Sequence, residues 1–178
     1  MAIVLIGGGA RSGKSRFALE YAEQRFTRRA FIATAQSLDS EMAERIRHHQ
    51  QSRGPTWTTL EAPLDLVGTL SRETAEFEVV VVDCLTLWLS NVLLDPVSDV
   101  EKEIDSLLRY LVDQKDAPTA VLVTNEVGSG IVPDNELARK FRDLAGVLNQ
   151  RVAQAADEVY WMAFGIPMTV KTASGDSR

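Results

Sequence analysis

Gly8-Gly9-Ala10-Arg11-Ser12-Gly13-Lys14-Ser15 follows the apolar run Ala2 to Ile6 and opens a stretch of helical periodicity. The eight residues fit G-x-x-x-x-G-K-[ST], a spacing with a mechanical reading. Glycines let successive backbone N–H groups turn inward on phosphate oxygens, Lys14 carries charge toward the β and γ phosphates, and the Ser15 hydroxyl can ligate Mg²⁺. Without ligand the lysine head is expected to be solvated. The preceding run is continuously apolar and rich in β-branched residues, as in a strand buried on both faces of a parallel sheet. Beyond the loop, Phe17, Ala18, Tyr21, Ala22 and Phe26 recur near helical spacing, which predicts a helix over Ser15 to Phe26. The motif therefore sits between a strand and a helix, as phosphate binding requires.

The same alternation continues outward. Ala30 to Ala33 reads as a second strand, and Asp39 is placed to cap a helix running to about Ser52. Trp57 to Leu60 is a short strand, and Leu64, Leu66, Val67 and Leu70 mark another helix. Val79 to Val82 is the most strand-like run, ending at Asp83. Leu87 to Leu94 is apolar and helical, Val100 to Val112 carries Ile104, Leu107, Leu108 and Leu111 on one stripe, and Thr119 to Thr124 is again a buried strand. Pro133 and Asp134 introduce the longest helix, Asn135 to Ala156. Val159 to Phe164, Gly165 and Ile166 to Lys171 then form a strand, a turn and an antiparallel return, because no crossover fits between them. These elements predict a three-layer α/β P-loop NTPase fold: one domain over 1–171, a mostly parallel sheet with a C-terminal antiparallel strand, and a flexible tail at 172–178.

The chain has 178 residues, with 19 Lys and Arg against 25 Asp and Glu. A net charge of −6 without long basic runs argues against a nucleic-acid partner, whose affinity would come from clustered positive charge. No apolar run approaches the roughly 18 residues of a membrane span, and no signal peptide precedes the first strand, so a cytoplasmic protein is expected. Cys84, the single cysteine, lies in a strand-like apolar stretch and reads as a small buried thiol without a redox role.

Asp83, after four valines, suits the second acidic element that holds Mg²⁺ in P-loop proteins, the competing reading being a cap for the following helix. Thr124-Asn125-Glu126-Val127 lacks the lysine of a guanine-specificity signature. Glu61 and Glu126 lie near strand ends, where ligands of α/β sheets bind. His48 and His49 are the only histidines. His49 shares a helical face with Arg45 and Arg53, cations that would lower its pKa and could grip phosphate oxygens, while His48 points about 100° away. On the residues alone, a solvated histidine and a nucleophile at phosphorus both remain open. Trp57, Trp88 and Trp161 read as core or interface anchors.

Six blocks together resemble one family, the bifunctional adenosylcobinamide kinase/adenosylcobinamide-phosphate guanylyltransferases of cobalamin nucleotide-loop assembly. They are the P-loop (8 to 15), Ile-Ala-Thr-Ala-Gln (32 to 36), Glu-Met-Ala-Glu-Arg-Ile-Arg-His-His (41 to 49), Asp-Cys-Leu-Thr-Leu-Trp-Leu-Ser-Asn (83 to 91), Thr-Asn-Glu-Val-Gly-Ser-Gly-Ile-Val-Pro (124 to 133), and the helix block from Leu137 to Gln150. The resemblance implies a RecA-like sheet and two reactions. Adenosylcobinamide is phosphorylated with a nucleoside triphosphate, then GMP passes from GTP to adenosylcobinamide phosphate through a guanylylated histidine, which falls on His49. ATP and GTP are then substrates and Mg²⁺ the cofactor. It also implies nucleotide contacts from the P-loop, from Ala33, Thr34 and Ala35, from Gln50, Gln51, Ser52 and Arg53, and from Glu61 and Asp83. A homotrimer follows from the same resemblance, and Trp88 with the apolar segment Leu85 to Leu94, too hydrophobic for an exposed loop, is expected near its subunit boundary.

Overall fold

A computed structural model of the chain describes residues 1–36, 54–114 and 116–172. The helix expected between Asp39 and Ser52, the lysine at 115 and the tail from 173 onward lie outside the described residues.

The strands are β1 (Ile3–Gly8), β2 (Arg29–Ala33), β3 (Trp57–Glu61), β4 (Val79–Asp83), β5 (Thr119–Val123), β6 (Glu158–Ala163) and β7 (Ile166–Lys171). The described helices are α1 (Lys14–Glu23), α2 (Leu66–Glu73), α3 (Leu85–Leu94), α4 (Val100–Asp113) and α5 (Glu136–Ala155). The sheet order is β3-β2-β4-β5-β1-β6-β7, parallel throughout except for the β6–β7 hairpin. The expected mostly parallel sheet with an antiparallel C-terminal strand is therefore observed.

Strand periodicity explains the layers. In β4 the valines alternate faces, Val79 and Val81 joining α1 while Val80 and Val82 join the opposite core. All four are fully buried, each contributing about 1.5–3 kcal/mol relative to exposure. On one face α1 packs Ala18, Tyr21 and Ala22 against Val4, Ile6, Val121 and Val123. On the other, α2 to α5 supply Leu70, Leu89, Leu107 and Leu148 to a larger core. Side-chain caps start three of these helices: Asp65 accepts from the Gly68 N–H, Asp99 from those of Glu101 and Lys102, and Asn135 from that of Ala138.

Several expectations shift. α1 ends at Glu23 rather than Phe26, although the Phe26 N–H still reaches the Ala22 carbonyl. Helix α3 begins at Leu85, so Cys84 is its N-cap residue and not part of a strand. The buried thiol is as expected. β6 stops at Ala163, leaving Phe164 in the turn with positive φ. The largest departure concerns α3. Trp88 is fully buried, its indole N–H donating to the Leu64 carbonyl at 2.9 Å, and Leu85, Leu89 and Val92 share that core. Trp88 and these three neighbours are thus covered within the chain, while Leu94 at the end of the helix is exposed. Exposed apolar side chains also gather at the hairpin, where Phe164, Ile166, Met168 and Val170 are open and Trp161 is partly exposed.

Candidate active site

β1 runs into the phosphate-binding loop at a point where only glycine fits. Gly8 has φ +150, and a Cβ there would lie 2.7 Å from the Met162 carbonyl oxygen and 2.9 Å from the Ser12 hydroxyl. The loop closes at Gly13, the N-cap residue of α1, with φ +95; its carbonyl accepts from the Phe17 N–H at 3.0 Å. The hairpin turn supports this loop from outside. The Gly165 N–H donates to the Ser12 carbonyl at 3.0 Å, and a Cβ on Gly13 would approach Gly165 Cα to 3.2 Å. Between these points Ala10 and Arg11 are exposed, Arg11 with φ +54.

Lys14 is not solvated. Its side chain is buried, and the ammonium donates to the Gly9 carbonyl at 2.6 Å and lies 3.4 Å from the Ser12 hydroxyl. The loop folds back over the first turn of α1, so its own carbonyl replaces water around the ammonium. Burial lowers the lysine pKa, opposed by the nearby Cys84 and Asp83. The end of β4 is thus near enough to act on the lysine electrostatically. Ser15 follows on α1, half-buried at the same end of the sheet.

Parallel register brings the other strand ends to this edge. Asp83 lies level with Ala33 on β2 and with Val123 on β5. The N-cap position of the helix that follows is held by Cys84. Thr34 is fully buried and ties β2 to β4: its hydroxyl donates to the Cys84 carbonyl and accepts from the Cys84 N–H, each at 2.8 Å. Its carbonyl accepts from Asn91 Nδ2, which also reaches the Pro63 carbonyl. The threonine side chain thus faces protein, and Ala35 continues half-buried along the rim. Glu61 is exposed on β3, four strands from β1. That corresponds to a lateral offset of about 19 Å at 4.8 Å per strand. The structure therefore gathers the P-loop, Ala33, Thr34 and Asp83 at one rim and sets Glu61 at its far end. His49, with His48, Arg45, Gln50, Gln51, Ser52 and Arg53, lies outside the described residues.

Glu126 enters this rim through its backbone, its N–H donating to the Gly8 carbonyl at 3.1 Å. Its carboxylate is turned onto its own loop, where Ser129 and the Gly128 N–H hold the carboxyl below the usual range. Sequence reasoning missed a polar cluster just behind it. The Thr124 hydroxyl donates to Asn149 Oδ1 at 2.7 Å, Asn149 Nδ2 donates to the Asn125 carbonyl at 3.2 Å, and the Asn125 N–H donates to the Thr86 hydroxyl at 2.7 Å. One signal was available. Asn149 lies on the α5 stripe between Ala145 and Val152, both buried, and an amide on an apolar stripe requires partners.

The sequence profile of the family described as "Cobinamide kinase / cobinamide phosphate guanyltransferase" matches residues 4–170. The chain is 44% identical to "Bifunctional adenosylcobalamin biosynthesis protein CobP" of Pseudomonas aeruginosa, over 94% of this chain and 96% of that protein. It is 41% identical to "Bifunctional adenosylcobalamin biosynthesis protein CobU" of Salmonella typhimurium, over 95% and 99% of the respective chains. Among solved structures, an ATPase domain superposes with TM-score 0.59 at 13% identity, covering 99% of this chain and 79% of that one. The RadB recombinase superposes with TM-score 0.51 at 16% identity, covering 90% and 73%. At these identities the structural likeness speaks for the P-loop fold alone.

Proposed function

The chain belongs to the cobinamide kinase / cobinamide phosphate guanyltransferase family, and from that premise we propose that it phosphorylates adenosylcobinamide and then guanylylates the product through a covalent histidine intermediate. The observation that carries this reading is the seating of Lys14 within the P-loop beside Asp83, one rim in a fold matched by the family almost end to end.

In the first reaction the P-loop backbone and Lys14 hold the triphosphate while the corrinoid alcohol attacks the γ-phosphorus in line. Ser15 and Asp83 would hold Mg²⁺, which neutralises developing phosphate charge when bound. The donor set suits that ion. Ser15 offers a hydroxyl and Asp83 a carboxylate, and Mg²⁺ characteristically takes one or two protein oxygens, completing its shell with phosphate and water.

In the second reaction His49 attacks the α-phosphorus of GTP, forming an N–P bond as the bond to the β-phosphate breaks and pyrophosphate leaves. A phosphate oxygen of adenosylcobinamide phosphate then displaces the imidazole. Arg45 and Arg53, one helical turn either side in a helix, favour the neutral ring and would stabilise charge at phosphorus. Gln50, Gln51 and Ser52 follow as nucleotide contacts, with Ala33, Ala35 and Glu61 from the strand ends. The protein acts as a homotrimer in the cytoplasm, and the exposed apolar face of the β6–β7 hairpin supports self-association. Among the described residues, no helix is long and apolar enough to cross a membrane.

Incubation with GTP and Mg²⁺, followed by intact mass measurement and peptide mapping at neutral or alkaline pH, tests the reading. One GMP on His49, lost in His49→Ala and retained in His48→Ala, is expected. A label on another residue, or none, refutes the covalent route, while a chain that phosphorylates no corrinoid refutes the kinase assignment.

A further inference from the structure

The polar cluster behind the P-loop has a direction. β5 lies between β1, which carries the phosphate loop, and β4, which ends in Asp83. The ladder continues past the strand: the Thr124 N–H reaches the Ile6 carbonyl at 3.0 Å and the Glu126 N–H the Gly8 carbonyl at 3.1 Å. Asn125 is therefore the residue suspended between the root of the P-loop and the metal-binding strand end. Side-chain alternation assigns its face. Val123 points to the α1 side, and Thr124 points to the α5 side, where it bonds Asn149. Asn125 returns to the α1 side, its amide donating to Cys84 Sγ at 3.8 Å, next in sequence to Asp83 at the end of β4.

Both peptide groups flanking Asn125 are held by side chains. Thr86 on α3 accepts from its N–H, and Asn149 on α5 donates to its carbonyl. Thr86 and Thr124, both buried, face each other at 3.4 Å. Two helices from the far layer thus fix the backbone of a single rim residue.

We propose that Asn125 is a catalytic residue whose amide donates to a non-bridging oxygen of the phosphoryl group in transfer to the corrinoid alcohol, with Thr86 and Asn149 as positioning residues. The inference rests on the kinase reading above. In that step the alcohol oxygen bonds to the γ-phosphorus, the bond to the β-phosphate breaks with its electron pair leaving on the nucleoside diphosphate, and the alcohol proton passes to water. A fixed donor aimed at charge that develops in transfer acts on the rate more than on ground-state binding.

The experiment uses the full chain with ATP, Mg²⁺ and adenosylcobinamide, following phosphorylation in wild type, Asn125→Ala, Thr86→Val, Thr86→Ser and Asn149→Ala, with thermal melts alongside. Asn125→Ala is expected to lower kcat about 100-fold, as for loss of one transition-state donor. Its KM for ATP should change less than about threefold, the pattern of an interaction made only in transfer. Thr86→Val, which keeps the shape and removes the hydroxyl, should lower kcat about tenfold, and Thr86→Ser should restore it. Asn149→Ala should share the kcat loss. Wild-type kcat in Asn125→Ala overturns the catalytic role. Melting-temperature losses with unchanged kcat in Thr86→Val and Asn149→Ala overturn the positioning roles. A wild-type chain without corrinoid phosphorylation overturns the kinase reading, and this inference with it.

Discussion

Replacing Lys14 by alanine separates folding from chemistry, because the buried ammonium has opposing effects on stability and a single role in turnover. Its bond to the Gly9 carbonyl at 2.6 Å is charge-assisted, worth about 1.5–3 kcal/mol when satisfied. Burial of the charge, the leading cause of its lowered pKa, works against that gain. The two offset, so Lys14→Ala should change stability by no more than about 1–2 kcal/mol. At about 2–4 °C per kcal/mol, the melting temperature should move by less than about 8 °C. In turnover nothing offsets the loss. Removing a charge that stabilises transferring phosphate costs about 3–4 kcal/mol, or some 100- to 1,000-fold in kcat/KM for both reactions. The sign of the pH dependence follows from the lowered pKa. Between the folded pKa and 10.5 the unfolded chain binds more protons at this site, so the cost of burying the charge is fully present below that window and relieved as pH rises through it. Wild type should therefore gain stability relative to Lys14→Ala in the alkaline range. Paired melts across pH, with steady-state assays of pyrophosphate release and corrinoid phosphorylation, measure each part. A variant within about tenfold of wild-type kcat/KM in both reactions would refute the electrostatic role, and a variant that fails to fold would refute the offset.

Gly13→Ala should cost about 1–3 kcal/mol, since φ +95 disfavours an L side chain and the new Cβ meets Gly165 Cα at 3.2 Å; nucleotide binding measured by calorimetry should weaken with it, and an unchanged melt would refute the constraint. Trp88→Phe leaves the Leu64 carbonyl without its donor and opens space in a fully buried site, an expected loss of about 2–3 kcal/mol by denaturant titration. Light scattering on that folded variant should report the wild-type oligomer, and a changed oligomer would return Trp88 to the subunit boundary. Burial pushes the Cys84 thiol up to about 11, so thiol-reactive probes should label it at neutral pH only at the rate of opening. Because the folded thiol keeps its proton while the unfolded one ionises near 9.0, this site's contribution to stability should be lost as pH rises from about 9 toward 11; Cys84→Ala should flatten that decline.

What the chain shows in one dimension is governed by local periodicity. Ala2 to Ile6 and Val79 to Val82 announce strands buried on both faces because every residue is apolar, and the stripe Leu137, Phe141, Leu144, Leu148 announces α5 because 3.6 residues make a turn. The P-loop is likewise local, eight consecutive residues whose chemistry is written in their order, and family membership follows from blocks of the same kind. Strand order is not local. β5 lies between β1 and β4 only once α3 and α4 have crossed the sheet, and that insertion is what brings Thr86, Thr124, Asn125 and Asn149 together across as many as 63 positions of sequence. The same limit explains Trp88. Hydropathy reveals that a residue needs cover, but only packing decides whether the cover comes from Leu64 and α4 in the same chain or from another subunit. Lys14 is the converse case: its charge reads as solvated until the folded loop turns the Gly9 carbonyl onto it, replacing water with a backbone oxygen that no pattern of side chains encodes.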